Sequence, residues 1–229
     1  MSIFLVGGAA ARTDIPALVP RFLREAGESE IAVLVTQHSG VRTEASAISA
    51  ALAAAGARGR LVELGPDGAE LSALAGTRGI IIGDGPAALL RERLEPLFGE
   101  LRRRTAAGEP VLAFGAGARL AAERAILGGH RIGGVVVCPE NDAEGLDEVT
   151  IAPGIGLIDI PLDTGAAQYG TLGRVIAAAE AGEIDGALAI DENTALVVGE
   201  GELTVLGAGS VWQLLGDEQG LRVSTIAAN

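Results

Sequence analysis

The run Val111-Leu112-Ala113-Phe114-Gly115-Ala116-Gly117-Ala118-Arg119 has the form of a nucleophile elbow that lacks its nucleophile. Such an elbow sets one residue on a sharp strand-to-helix turn, with small neighbours that let the chain approach itself. The central side chain then projects from the carboxyl edge of the sheet, and free N–H groups at the helix start face a developing oxyanion. Acyl transfer there needs a hydroxyl or thiol, a base within hydrogen-bond reach and a group that orients the base. Gly, Ala and Gly meet the backbone requirement, but Gly115 carries no reactive atom. The histidines offer little in compensation. His38 follows an apolar run and reaches the same sheet edge, as a ligand contact or as an ordinary loop residue. His130 and Cys138 stand eight residues apart with no second pair, which is poor spacing for a metal. Cys138 after three valines reads as an inert buried thiol. Gly83-x-Gly85 and Gly115-x-Gly117 lack the full dinucleotide fingerprint, and neither follows the first strand, so no cofactor is expected.

The elbow must be held by a sheet, and the chain supplies one. Short continuous apolar runs at 3–6, 31–35, 61–64, 80–82 and 111–114 have the pattern of strands buried on both faces. Between them lie helical patterns. Asp14 is placed to cap a first helix with Pro16 in its first turn, and 43–55 is an Ala-rich helix ended by Gly56. Residues 86–104 repeat leucines at helical spacing, with Pro96 expected to kink them, and 116–126 is the helix launched by the elbow. This alternation implies a parallel sheet with helices on both faces. Beyond residue 130 the texture changes. Strand patterns at 135–137, 155–160, 187–190, 195–198 and 203–206 are joined mostly by tight turns, with one helix at 172–181 capped by Thr171. The fold class expected is α/β, a three-layer αβα sandwich with a mainly parallel central sheet and an antiparallel C-terminal hairpin extension. No repeat or linker divides the chain, so residues 1–229 read as one domain.

Composition bounds the partners. A net charge of −13 disfavours a nucleic-acid backbone or an anionic membrane surface, which would repel the protein, and leaves room for basic small molecules or peptides. One cysteine permits no internal disulfide. No apolar run approaches the roughly 20 residues of a membrane helix, and the N-terminal run is too short for a signal segment, so a cytoplasmic location is expected.

Several stretches besides the elbow carry a resemblance. They are Pro153-Gly154-Ile155-Gly156-Leu157, Asp163 to Val175, Ala189-Ile190-Asp191-Glu192-Asn193-Thr194-Ala195 and Val205-Leu206-Gly207-Ala208-Gly209-Ser210-Val211. Together they resemble the cyanophycinase and dipeptidase E family of serine peptidases, relatives of the class I glutamine amidotransferase fold. The family's elbow looks like Gly-Thr-Ser-Ala-Gly-Ala, which puts Gly115 where the serine would be. Its histidine segment is similar to the stretch opening at Asp163, which puts Gly165 where the histidine would be. The family's oxyanion turn resembles Gly83-Asp84-Gly85-Pro86, but Pro86 has no N–H and Asp84 brings a carboxylate to a place built for negative charge. Asp191-Glu192 is implied to be a structural turn.

The resemblance implies a catalytically degenerate member of the family, with no catalytic residue at Gly115 or Gly165. The expected ligand-binding residues are Gly83, Asp84, Gly85, Gly115, Ala116, Gln168 and Tyr169. No metal site is expected. The expected partners are a second copy of the chain or a related active subunit, and a small acidic or peptide ligand. The alternative is a hydrolase of peptides or cyanophycin-like aspartyl substrates that relocates its chemistry to Asp84, Thr164, Tyr169 or Thr171. A purely structural oligomer is the third reading.

Overall fold

The apolar runs and helical patterns of the first half become, in chain order, β1 (Ile3–Val6), α1 (Ile15–Ala26), β2 (Glu30–Thr36), α2 (Val41–Ala54), β3 (Gly59–Leu64), β4 (Thr77–Ile82), α3 (Ala87–Leu94), α4 (Phe98–Ala106), β5 (Val111–Phe114) and α5 (Ala116–Leu120). The structure is a computed structural model that describes residues 2–9, 15–38, 40–199, 201, 203–217 and 220–228. Asp14, read as a helix cap, lies outside the described residues. The second half adds β6 (Arg124–Gly128), β7 (Arg131–Ile132), β8 (Val135–Val136), β9 (Thr150–Pro153), β10 (Leu162–Thr164), α6 (Leu172–Glu180), β11 (Gly186–Ile190), β12 (Thr194–Val198), β13 (Thr204–Gly207), β14 (Ser210–Asp217) and β15 (Gly220–Ala227).

Seven strands form the central sheet in the order β13-β12-β1-β5-β4-β2-β3. The five strands from β1 to β3 in that order are mutually parallel, and the β12–β13 hairpin adds two antiparallel strands beside β1. Successive side chains of a strand face opposite ways, so each run serves both faces. Ile3, Leu5, Ile80, Ile82, Val111 and Ala113 pack with Leu90, Leu94, Leu97 and Leu101 on one side. Phe4, Val6, Val33, Val35, Ile81, Leu112 and Phe114 pack with Leu18, Phe22, Ile48 and Leu52 on the other. With few aromatic rings, the core is aliphatic; Phe4 and Phe22 meet edge to face, their centroids 6.1 Å apart. A second sheet, β10-β11-β14-β15, carries α6 on one face, and its β14–β15 hairpin is the C-terminal pair. The fold is thus α/β, mainly parallel, with antiparallel C-terminal strands. No helix among the described residues is long and apolar enough to cross a membrane.

Four expectations need correction. The helix read over 86–104 is two, α3 and α4, separated by a single 3-10 turn at Glu95–Leu97 that holds Pro96. The helix read over 116–126 stops at Leu120, and the strand read over 155–160 does not form. Both departures have one cause. The N–H groups of Ile155, Leu157 and Gly156 donate to the carbonyls of Leu120, Ala121 and Ala122 at 2.7, 2.7 and 3.2 Å. That segment therefore caps the end of α5, and its sheet-like pairing is limited to one isolated bridge between Ile158 and Ala122. The fourth concerns Thr171. It stands at the start of α6, but its hydroxyl donates to the Thr164 carbonyl at 2.8 Å and makes no cap bond to the helix.

Candidate functional site

Parallel strands deliver their following loops to one edge of a sheet, which is where α/β proteins place their sites. Gly7 to Ala9 after β1, His38 after β2, the 83–86 turn after β4 and Gly115 after β5 converge there. Thr164 and Gly165 after β10, and the 141–144 loop, close the other side. They enclose a cavity of about 790 Å³.

The elbow is present as geometry. Gly115 has φ 48° and ψ −114°, a conformation that a side chain strains to adopt. Its N–H donates to the Val6 carbonyl at 3.0 Å, tying the turn to β1. Gly117 lets the turn press on the neighbouring loop, since a Cβ there would stand 2.8 Å from the Gly83 carbonyl oxygen. The place where a side chain on residue 115 would project is filled by Asp84: a Cβ on Gly115 would lie 2.2 Å from Asp84 Oδ1 and 2.3 Å from its Cγ. Asp84 Oδ1 accepts the Ala116 N–H at 2.7 Å, the donor that in an elbow would face an oxyanion. The Asp84 N–H in turn points to Glu44 Oε1, 3.3 Å away on the first turn of α2.

Gly165, which the resemblance sets at the family's histidine, is filled in the same manner. Gly165 has φ 71°, and a Cβ on it would meet the Tyr169 ring at 2.2 Å. The Tyr169 hydroxyl donates to Glu192 Oε1 at 2.7 Å, which anchors the ring over Gly165.

Among the described residues two arginines line the cavity, and both are committed to carboxylates. Arg119, buried on α5, pairs with Glu144. Glu144 adopts φ 55°, and its other oxygen accepts the N–H of Ala87 at the start of α3. Arg174 is 1% exposed and Asp163 not at all; they form a two-pronged pair, Nε to Oδ2 at 2.8 Å and Nη2 to Oδ1 at 3.0 Å. Burial pulls the Arg174 pKa down, but the adjoining Asp163 carboxylate outweighs it, so the net shift is upward and the guanidinium stays charged. Its Nη1 donates to the carbonyls of Gly129 and Asp142 at 3.0 and 2.9 Å, bracing the loops behind the cavity. Cys138 lies close by, buried, its thiol pKa pushed up chiefly by burial.

Of the residues read as ligand-binding, the cavity brings together Asp84, Gly85, Gly115 and Tyr169, with Gly165, Thr164, Thr171 and His38 beside them. Gly83 packs against Val35, and Ala116 contributes only its N–H, already held by Asp84. The elbow helix start is therefore not an open anion seat. Gln168 is exposed outside the cavity, where its side-chain carbonyl accepts the Glu192 N–H at 2.8 Å. Asp191 accepts from Ala167, Ser210 and Trp212 at 3.0, 3.0 and 2.9 Å and so binds turns together. Glu44, Arg119, Asp142 and Glu144 went unread as lining residues. Arg119 closes the elbow run on α5; the others sit in no motif, and the α2 helix and the 140–144 loop bring them to the sheet edge. Among the described residues no group of three or more His, Cys, Asp or Glu is arranged to hold a metal ion.

No protein-family model matches the chain, and no curated protein matches it by sequence. In three dimensions it is similar to the crystal structure of a candidate peptidase E protein from Listeria monocytogenes EGD-e, with a TM-score of 0.62 at 15% identity. The match covers 91% of this chain and 98% of that one. The likeness is one of fold, and on it this chain has a peptidase E-like α/β fold.

Proposed function

We propose that this protein is a catalytically degenerate relative of the cyanophycinase and dipeptidase E peptidases that acts by binding, as a ligand-holding homodimer or as the non-catalytic partner of an active relative. One observation carries the reading: the strained turn at Gly115 persists while the Asp84 carboxylate occupies the space of its side chain and takes the Ala116 N–H. A serine peptidase needs that space for a hydroxyl and that N–H for an oxyanion. Here the first is filled and the second is engaged, while the histidine position holds the Tyr169 ring. Losing one member of such a constellation lowers the rate by orders of magnitude, and here several are replaced.

The alternative is a hydrolase with relocated chemistry, favoured by the carboxylate standing where a nucleophile would. It is the weaker reading, because the carboxylate engages the very donor that acyl transfer would use. Incubation of repurified protein with aspartyl and β-aspartyl peptides decides between them. The binding reading expects no turnover above the buffer control. Turnover that survives repurification and is lost in Asp84→Ala would establish the hydrolase instead.

A further inference from the structure

Resting on the homodimer form of that binding reading, we infer that two copies of this chain meet along the outer edge of β15, strand against strand about a two-fold axis. β15 ends the sheet β10-β11-β14-β15, and most of its eight residues are exposed. Its neighbours show which way its backbone faces. The Gly216 N–H of β14 donates away from β15, to the Asp185 carbonyl, while the Ala228 N–H donates inward to the Gly209 carbonyl. Backbone groups alternate in direction along a strand, so Arg222, Ser224 and Ile226 turn theirs to β14. Leu221, Val223, Thr225 and Ala227 turn theirs outward, and among the described residues none bonds them. A row of unpaired N–H and C=O groups is a template for another strand.

Sheet edges are ordinarily guarded by shortness, charge, proline, a bulge or a cover. Of the other edges of the two larger sheets, β10 is three residues long and largely buried, β13 is four residues long, and β3 carries Arg60 and Glu63. β15 pairs with β14 in unbroken register and holds no proline and no acidic residue; its one charge is Arg222. Val223 stands on it 40% exposed. The two-fold register that engages every outward group is centred on Ser224. It sets Leu221 against Ala227 and Val223 against Thr225, and it sets Arg222 against Ile226, so the two guanidinium groups do not face each other. Two features favour a second copy over an unrelated extended peptide. A chain of net charge −13 repels its copies, and on this acid-free strand they meet without opposing carboxylates. The pairing also closes. The joined sheet ends in the short, buried β10 on both sides, whereas an added peptide would present a fresh edge.

Sedimentation equilibrium and disulfide trapping on the intact chain test this. Dimers should form in a concentration-dependent manner, and more strongly as salt rises from about 0.05 to about 0.5 M and screens the net charge. Val223→Pro removes an outward N–H where an edge strand tolerates proline, and should weaken the dimer by about tenfold or more. Should that variant fail to fold, Val223→Lys puts a charge on the same exposed edge and is expected to act alike. Leu61→Lys, on the exposed edge of β3, should leave the dimer unchanged. In a Cys138→Ala background, Ser224→Cys should join two copies through a disulfide under mild oxidation with diamide. The two-fold makes residue 224 a non-hydrogen-bonded pair with itself, which brings the Cα atoms to about 4.5 Å. Ser72→Cys, exposed after β3, should not cross-link. A chain that stays monomeric at about 100 μM in high salt, or a dimer indifferent to both Val223 variants, overturns the inference. Peptide turnover would defeat the binding reading itself, whereas a monomer without turnover defeats only the β15 surface.

Discussion

Gly115→Ala forces two changes at once, and a double-mutant cycle with Asp84 separates them. The new Cβ must adopt φ 48° and ψ −114°, a backbone strain of about 1–3 kcal/mol. It also arrives 2.2 Å from Asp84 Oδ1, so the carboxylate must swing away from the Ala116 N–H. Losing that charged hydrogen bond to a buried donor costs about 1.5–3 kcal/mol. Gly115→Ala alone should therefore destabilise the fold by about 2.5–6 kcal/mol. Asp84→Ala alone loses only the hydrogen bond, about 1.5–3 kcal/mol. In the double variant the bond is lost once, so it should be no less stable than Gly115→Ala. The departure from additivity is then about 1.5–3 kcal/mol, as contacting residues show. Urea unfolding followed by circular dichroism measures all four corners, provided the m-value stays constant. A double variant weaker than Gly115→Ala by the full cost of Asp84→Ala would show that Asp84 does not occupy the elbow, and the account of the site would fall with it.

Three further outcomes follow from the same contacts. Asp163→Asn should lower stability by about 3–5 kcal/mol, because it leaves Arg174 charged and buried without its partner; replacing both by apolar residues of similar volume should be much milder in thermal melts. Gly165→Ala should destabilise by about 2–4 kcal/mol through the Tyr169 contact and the positive φ, and Tyr169→Ala should relieve only the contact, as a melting series would show. Because burial raises the Cys138 pKa, the folded state holds the thiol proton more tightly than the unfolded chain. Stability is unaffected below the unfolded value of about 8.5 and falls as pH rises above it. Urea midpoints from pH 8 to 10 should decline more in the natural protein than in Cys138→Ala, and parallel curves would remove this contribution.

Much of the scaffold was legible in the residues themselves. Runs such as Ile80-Ile81-Ile82 and Val111 to Phe114 can bury both faces only in the middle of a parallel sheet, and helices between them follow from their leucine spacing. The elbow was legible too, since Gly115, Ala116 and Gly117 are the small residues that a tight strand-to-helix turn demands. What escaped was whatever depends on partners far along the chain. The length of α5 could not be read because the residues that end it, 155–158, are distant in sequence and act through backbone N–H groups that any sequence would have. The same holds for the part of the cavity wall built by Glu44, Arg119 and Glu144.

The sequence alone determined that position 115 has no nucleophile and position 165 no imidazole, because side-chain chemistry is a property of the residue. It could not say what stands in the vacated space, because glycine specifies only an opening. Tertiary structure decided that Asp84 and Tyr169 fill those openings, by bringing the ends of β4 and β5 side by side and folding the 165–169 turn back on itself. The turn at Gly115 is thereby lined with carboxylate, and its polarity comes from packing rather than from any motif.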